Sequence, residues 1–459
     1  MPLETLRKIY LQAGQPLQYY LVAFDKDGNE LEDGKMSQEL VKVLANEQIT
    51  DVFIFSHGWM GDVPSARNQY EKWLTAIAEQ NNDLKKMEEV RQGFKPLFIG
   101  LHWPSLPWGD ENLGEEVSEE VSFDVTSESP ISALIDSYER VADSEEAKEP
   151  LQTILSAAMD DLEPAELPPE VVKAYQKLNQ LSGLGSDGEG AAPGSDREPF
   201  DPEEIYQAAR EVFADEYAES VDFGILSKLK SLVLKPAQVL SYWTMKKRAR
   251  EIGENSGSQL LRQLQEATSE NVRFHLKGHS FGCIVVSATI AGKGGKGELL
   301  RPVNSLALLQ GAVSLWSYCS QSPYIPDNKS GYFHSIIADK RVAGPIITTQ
   351  SKYDNAVGKT YPLAGKVVFD EVDFAPGQLQ LPEYGGIGAF GARGDGLDIV
   401  DLEMLPKDVD YSFETGQIYN IESSEYICEN KSGTPLMDAH SDIHKPVVAH
   451  AVLQAALGS

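Results

Sequence analysis

The sequence predicts an α/β protein with a mostly parallel central sheet, flanking helices and a long helical insertion. Residues 51–55 and 97–101 are apolar almost throughout, which is typical of parallel strands buried on both faces. Segments with helical periodicity alternate with such runs, as in other α/β proteins. The alternation stops between about residues 106 and 267, where no stretch has a convincing strand pattern, so an insertion is expected there.

Strands are predicted where β-branched, aromatic and other apolar residues cluster between turn residues. In chain order they are residues 19–24, 51–55, 97–101, 272–276, 303–309, 344–350 and 416–427, with candidate hairpin strands at 367–375 and 378–381. Helices are predicted where apolar residues recur three and four positions apart. They are residues 37–46, 67–80, 131–159, 169–181, 205–217, 226–252, 258–267, 283–291 and 446–457, with Pro236 expected to kink or divide one of them.

These elements divide the chain into a core and an insertion. We expect residues 1–105 and 258–459 to form the core around the sheet, and residues 106–257 to form the helical insertion, a candidate lid. The segment at about 182–202 is rich in Gly, Ser, Asp and Pro and is predicted to be a disordered loop.

Composition excludes several kinds of partner. The formal net charge is −30, which argues against nucleic acid and against electrostatic binding to anionic membranes. Three cysteines give no disulfide framework. The N-terminus lacks the apolar core of a signal peptide, and no apolar run is long enough for an integral membrane segment. We therefore expect a cytoplasmic protein, and the sequence does not indicate protein partners.

The strongest motif lies at residues 278–282, which read Gly-His-Ser-Phe-Gly. A predicted strand precedes it and a helix of small apolar residues follows it, which is the context of a G-x-S-x-G nucleophile elbow. The flanking glycines are required because a Cβ there would collide with the strand or the helix. Ser280 is therefore the candidate nucleophile.

An activated serine needs a general base and a carboxylate that orients the base. Asp354 directly follows the strand predicted at 344–350, and His440 precedes the last helix, so the order Ser280, Asp354, His440 suits a catalytic triad. His444 remains the alternative base.

Backbone N–H groups should stabilise the oxyanion that forms when serine attacks an acyl carbon. Phe281 follows the nucleophile, and Trp59 lies after an early strand where Gly58 lets the backbone approach the substrate, so these two are the candidate donors. The side chains expected near the substrate are His57, Trp103 and His279.

No cofactor or metal motif is expected to serve the site. Gly386, Gly388 and Gly391 match G-x-G-x-x-G, but no strand-to-helix unit surrounds them, so a glycine-rich surface loop is predicted instead of a nucleotide site.

Taken together, these motifs resemble the α/β-hydrolase superfamily in its lipase-like and esterase-like branches. The resemblance rests on residues 56–59, 102–105, 278–282, Asp354 and 440–443. It implies an eight-stranded, mostly parallel sheet and a serine hydrolase that acts on a small-molecule or lipid ester, most simply a carboxylester.

Three other functions remain open. The same triad could serve an acyltransferase or thioesterase. A degenerate hydrolase fold could act as a binding module without catalysis. Finally, His440, Asp442 and His444 could hold a metal ion for hydrolysis, since their alternate spacing suits one face of a strand.

Overall fold

The computed structural model describes most of the chain outside the first part of the insertion. The described residues are 8–10, 16–59, 63–105, 145–161, 163–182, 184, 200–218, 232–322, 324, 330–354, 356–357, 381–428 and 439–458.

A single nine-stranded sheet organises the protein. The strands are β1 (Lys8–Tyr10), β2 (Pro16–Ala23), β3 (Asp51–Ser56), β4 (Pro96–His102), β5 (Arg273–His279), β6 (Ser305–Leu309), β7 (Ile346–Gln350), β8 (Ile399–Glu403) and β9 (Ile418–Glu422). Their order across the sheet is β1-β2-β4-β3-β5-β6-β7-β9-β8. Strands β2 to β9 pair in parallel, and only β1 is antiparallel to its neighbour. The protein therefore belongs to the α/β class, as predicted.

The helices cover both faces of the sheet. They are α1 (Lys35–Asn46), α2 (Val63–Ala78), α3 (Asn81–Val90), α4 (Lys148–Asp160), α5 (Pro169–Leu181), α6 (Pro202–Ala218), α7 (Lys235–Ile252), α8 (Ser258–Glu266), α9 (Gly282–Ala291), α10 (His334–Ala338), α11 (Ile387–Phe390) and α12 (Pro446–Leu457). A π-helical turn, Gly253–Gly257, joins α7 to α8.

Alternation of side chains along the buried strands produces two apolar layers. In β3, Val52 and Ile54 face a cluster completed by α1, α8 and α9, whereas Phe53 and Phe55 face a second cluster completed by α2 and α12. The sheet is thus sandwiched between helices, and its central strands are apolar on both sides because neither side meets water. At roughly 25 cal/mol per Å² of buried apolar surface, these two layers supply the main driving force for folding.

The segment between β4 and β5, which the sequence predicts to be an insertion, contributes helices with an apolar cluster of their own. Helices α4, α5 and α6 bury a separate apolar cluster, which Leu232 and Leu240 of the adjoining segment complete. Helix α7, which contains Leu240, also packs against α9, the helix that follows Ser280. Pro236 lies in the first turn of α7, where its missing N–H has no helical partner to lose, so it starts the helix and does not kink it.

Most sequence-predicted strands are present, but the prediction missed two strands, β1 and β8. Both β1 and β8 are edge strands, and β8 is partly exposed, so neither has the fully apolar pattern that identified the central strands. The segment with Gly386, Gly388 and Gly391 was wrongly predicted to be a surface loop, because it forms α11 and is buried. The candidate hairpin strands and the 182–202 loop lie almost entirely outside the described residues.

No helix in the described ranges has both the length and the hydropathy needed to cross a lipid bilayer.

Candidate active site

Strand β5 ends in the tight turn that the sequence predicted. Ser280 follows the strand with a φ of +55°, in the left-handed region that costs a residue with a Cβ about 1–2 kcal/mol. A Cβ on Gly278 would lie 2.5 Å from the backbone of Cys283, and one on Gly282 would lie 2.4 Å from the carbonyl oxygen of Ser56. Both glycines are therefore needed for the helix to start so close to two strands.

Backbone hydrogen bonds hold Ser280 in this strained conformation. Its N–H donates to the Leu309 carbonyl (3.1 Å), and its own carbonyl accepts from the N–H groups of Cys283 (3.0 Å) and Ala312 (3.3 Å). The loop after β3 passes over the side chain, since a Cβ on Gly58 would lie 2.6 Å from Ser280 Cβ and 3.2 Å from its Oγ. The surrounding backbone thus fixes the serine between the ends of β3, β5 and β6.

Asp354 and His440 form a buried pair. The Nδ1–H of His440 donates to Asp354 Oδ2 at 2.8 Å, and both residues are less than 5% exposed. The other carboxylate oxygen, Oδ1, accepts from the backbone N–H of Val357 at 3.0 Å. This is the relation that an orienting carboxylate has to a general base, and it directs His440 Nε2 away from Asp354.

Gln310 completes the environment of the carboxylate. Its Nε2 donates to Asp354 Oδ2 at 2.8 Å and to the Gly388 carbonyl at 3.1 Å, and its backbone N–H donates to Thr349 Oγ1. Gln310 follows β6 directly and has a φ of +43°. Sequence reasoning missed this residue, although a polar residue at the carboxyl end of a predicted parallel strand was a signal that could have found it.

His279 connects the strand of the candidate nucleophile to the candidate base. Its Nε2–H donates to the backbone carbonyl of His440 at 2.8 Å, and the two imidazole rings lie 5.1 Å apart between centroids. Among the described residues, the Ser280 hydroxyl makes no hydrogen bond, so no bond joins it to His440. The structure therefore brings together the Asp354–His440 pair and places Ser280 next to the residue that contacts His440.

The same face of β5 carries two more polar side chains. His275 bonds Asp51 and Ser305, and Lys277 lies with Nζ 4.3 Å from the centre of the Trp73 ring. Burial lowers the pKa of Lys277 to about 7. Burial, followed by the neighbouring His440 and Lys277, lowers the pKa of His279 well below its usual value, so His279 is a neutral imidazole near pH 7.

The two candidate oxyanion donors belong to the segments that follow β3 and β5. Neither the Phe281 N–H nor the Trp59 N–H donates to another described residue. The ring of Trp59 packs against that of Phe281 at 5.6 Å, and Tyr242 of α7 packs against Phe281 at 5.0 Å. The side chains of the two candidate donor residues therefore belong to one aromatic cluster with Tyr242 of α7.

His57 and Trp103 support the loop that carries Trp59. The His57 Nδ1–H donates to the Gly58 carbonyl at 2.7 Å, and its Nε2 accepts from the Trp103 N–H at 3.3 Å. The two rings stack with an angle of 6° between their planes, and Tyr70 bonds the His57 N–H. Burial lowers the pKa of His57 to about 3, so the ring is neutral. That His57, Trp103 and His279 contact a substrate stays a prediction.

The alternative base and the alternative metal site have other environments. His444 does not bond Asp354, and burial, followed by the charges of Lys277 and Lys72, lowers its pKa to about 3. Asp442 Oδ2 pairs with Lys445 at 2.6 Å. The group in the described part of the chain that brings three potential metal ligands together is Asp83, Asp410 and His450, which is a different cluster.

No family model, curated protein or solved structure matches the chain. A proposal for the function therefore rests on the parallel sheet and on the residues at its carboxyl edge.

Proposed function

We propose that the protein is a serine hydrolase that cleaves a carboxylester or lipid ester through Ser280, His440 and Asp354. The observation that supports this most is the buried hydrogen bond from His440 Nδ1 to Asp354 Oδ2, beside the elbow that holds Ser280 at positive φ. The parallel sheet order from β4 to β7, with the elbow after β5 and the acid after β7, is also compatible with the α/β-hydrolase resemblance.

In the proposed reaction, Ser280 Oγ attacks the acyl carbon while His440 Nε2 takes the hydroxyl proton. Asp354 stabilises the imidazolium, and the backbone N–H groups of Phe281 and Trp59 donate to the oxyanion. The imidazolium then protonates the leaving alcohol, which leaves an acyl group on Ser280. A water molecule then gives a proton to His440 Nε2 while its oxygen attacks that acyl group. The bond to Ser280 Oγ breaks, the imidazolium returns the proton to Oγ, and the carboxylic acid is released. The approach of His440 Nε2 to Ser280 Oγ is part of the proposal, since catalytic hydrogen bonds often tighten only when substrate binds.

Labelling with a fluorophosphonate probe tests the proposal. We expect one adduct, located on Ser280 by mass spectrometry, and its loss in Ser280→Ala and His440→Ala. His444→Ala should still label, because His444 does not contact the carboxylate. Loss of labelling in His444→Ala with retention in His440→Ala would show that the base is His444 and not His440.

A panel of p-nitrophenyl esters of increasing acyl length then tests the substrate class. Hydrolysis that depends on Ser280 supports an esterase. Labelling of Ser280 without ester hydrolysis would favour the acyltransferase or thioesterase alternative. Folded protein that neither labels nor hydrolyses would contradict the enzyme proposal and favour a binding module.

A further inference from the structure

His279 immediately precedes the candidate nucleophile in the chain. Side chains alternate along β5, so His275, Lys277 and His279 share the face opposite Phe274 and Leu276. His275 and Lys277 lie against Phe53 and Trp73 in the layer completed by α2 and α12. His279, at the carboxyl end of the same face, reaches the segment before α12 that carries His440.

The hydrogen bond of His279 has one defined direction. A carbonyl oxygen can only accept, so Nε2 carries the proton that it donates to the His440 carbonyl. In the neutral ring, Nδ1 is then unprotonated, and among the described residues this buried atom has no hydrogen-bond partner. The contact with His440 is therefore the only hydrogen bond that the ring makes in the described part of the chain.

His440 is held from two directions. Asp354 fixes the Nδ1 end of its side chain from the segment after β7, and His279 fixes its main-chain carbonyl from β5. A hydrogen bond at Nδ1 alone would leave the main chain free to shift while the imidazole pivots on the carboxylate. The second attachment removes that freedom, and it comes from the residue next to Ser280 in the chain.

We propose that His279 is a positioning residue, which sets the distance between His440 and Ser280 by holding the His440 carbonyl to the end of β5. This inference rests on the proposed function, because it concerns the base of the proposed reaction. His279 takes no part in proton transfer, and its effect passes through His440. A misplacement of about 1 Å at a reacting group can cost on the order of 100-fold in rate, so loss of this contact should slow the reaction.

Three titratable side chains face His279 from the elements around it. Lys277 lies on the same strand, and His440 and His444 lie on the segment before α12. Because none of them needs to change charge for the hydrogen bond to form, the proposed role does not require a titration of His279.

The test compares two substitutions that differ in the donor. His279→Leu removes the donor and keeps an apolar side chain of moderate size. His279→Gln replaces the donor, since a glutamine amide nitrogen can occupy nearly the position of Nε2. We expect Leu to slow fluorophosphonate labelling of Ser280 and to lower kcat for an ester by about 10- to 100-fold with little change in KM. Gln should restore both rates to within about fivefold of wild type, on the scale of one replaced hydrogen bond.

His275→Asn is the matched control, because His275 lies on the same face of the same strand and bonds Asp51 and Ser305 far from Ser280. It should lower the urea midpoint of unfolding and leave the labelling rate of folded protein unchanged. If His279→Leu does not fold, His279→Asn replaces it, since the shorter amide cannot reach the His440 carbonyl.

The outcomes separate the inference from the proposed function. Wild type that fails to label Ser280 would overturn the proposed function and the inference with it. Wild type that labels, with Leu equal to wild type or with Gln as impaired as Leu, would overturn the inference alone. Equal slowing by His275→Asn would also overturn it, because the effect would then come from general weakening of β5.

Discussion

Replacing Gln310 by Met should slow the proposed reaction at Ser280 while the protein stays folded. The two side chains have nearly the same length, but Met has no N–H to donate. In the wild type, Gln310 Nε2 and His440 Nδ1 both bond Asp354 Oδ2, so Gln310 holds the oxygen that also bonds the proposed base. After the change, the backbone N–H of Val357 remains as the other donor to the carboxylate, through Oδ1.

The expected size follows from the bonds that are lost. A hydrogen bond to a charged group contributes about 1.5–3 kcal/mol, which corresponds to roughly 10- to 150-fold in rate if all of it serves to orient the carboxylate. The bond to the Gly388 carbonyl adds about 1 kcal/mol to folding stability. Removal of the buried Oε1, which has no partner among the described residues, offsets part of that loss. We therefore expect a 10- to 100-fold slower reaction and a free energy of unfolding lower by about 1–2 kcal/mol.

The assay measures the second-order rate constant for fluorophosphonate labelling of Ser280, together with urea unfolding. Gln350→Met is the control, because Gln350 ends the neighbouring strand β7, its Oε1 is also buried without a described partner, and it does not bond Asp354. Folded Gln310→Met that labels within twofold of wild type would refute the role assigned to Gln310. An equal decrease of the labelling rate constant in Gln350→Met would show that the effect comes from a general disturbance of the sheet.

Three further predictions follow from the geometry. Gly58→Ala should reduce labelling by more than 100-fold and destabilise the fold by about 1–3 kcal/mol, because its Cβ would lie 2.6 Å from Ser280 Cβ; wild-type labelling would contradict the tight approach of this loop. Ser280→Gly should be about 1 kcal/mol more stable than Ser280→Ala in urea unfolding, because only glycine adopts a φ of +55° without strain, and equal stability would count against a strained elbow. Burial alone would lower the pKa of His450, but its hydrogen bonds to Asp83 and the Val409 carbonyl outweigh burial and raise it. His450 therefore contributes its full stabilisation below the pKa of about 6.5 that it has in the unfolded chain, and this stabilisation is lost as pH rises through the raised pKa of the folded state. We expect His450→Gln to remove this contribution to the pH dependence of the free energy of unfolding, measured across about pH 5 to 8.

Central strands were predictable from sequence because burial on both faces leaves a simple composition signal. Residues 51–56 and 97–102 are buried, and their apolar runs identified them almost to the residue. Edge strand β8 has a mixed pattern with partial exposure, which a single sequence does not distinguish from a loop. The elbow was equally clear, since the close approach of a helix to two strands requires glycine at two fixed positions.

Contacts between distant segments were not predictable in the same way. His279 bonds a residue 161 positions later, and Gln310 bonds one 44 positions later. Neither contact leaves a local pattern, because a donor that meets its acceptor only in the folded sheet has the same sequence neighbours as one that faces water. The buried segment around Gly388 escaped prediction for the related reason that its glycines suit a loop, whereas they are needed here because a Cβ would lie 2.7 Å from the backbone of Gln310.

The edge of the sheet explains why these residues meet at all. In the order β3-β5-β6-β7, adjacent parallel strands end at Ser56, His279, Leu309 and Gln350, and each is followed within four residues by a group of the candidate site. Parallel strands place their carboxyl ends together, so Gly58, Ser280, Gln310 and Asp354 converge at one edge of the sheet. Of the proposed triad, His440 comes from outside this series, in the segment before α12, and it is held by hydrogen bonds to both His279 and Asp354. A site whose parts are otherwise fixed by the sheet therefore depends most on the contacts that His440 makes with His279 and Asp354.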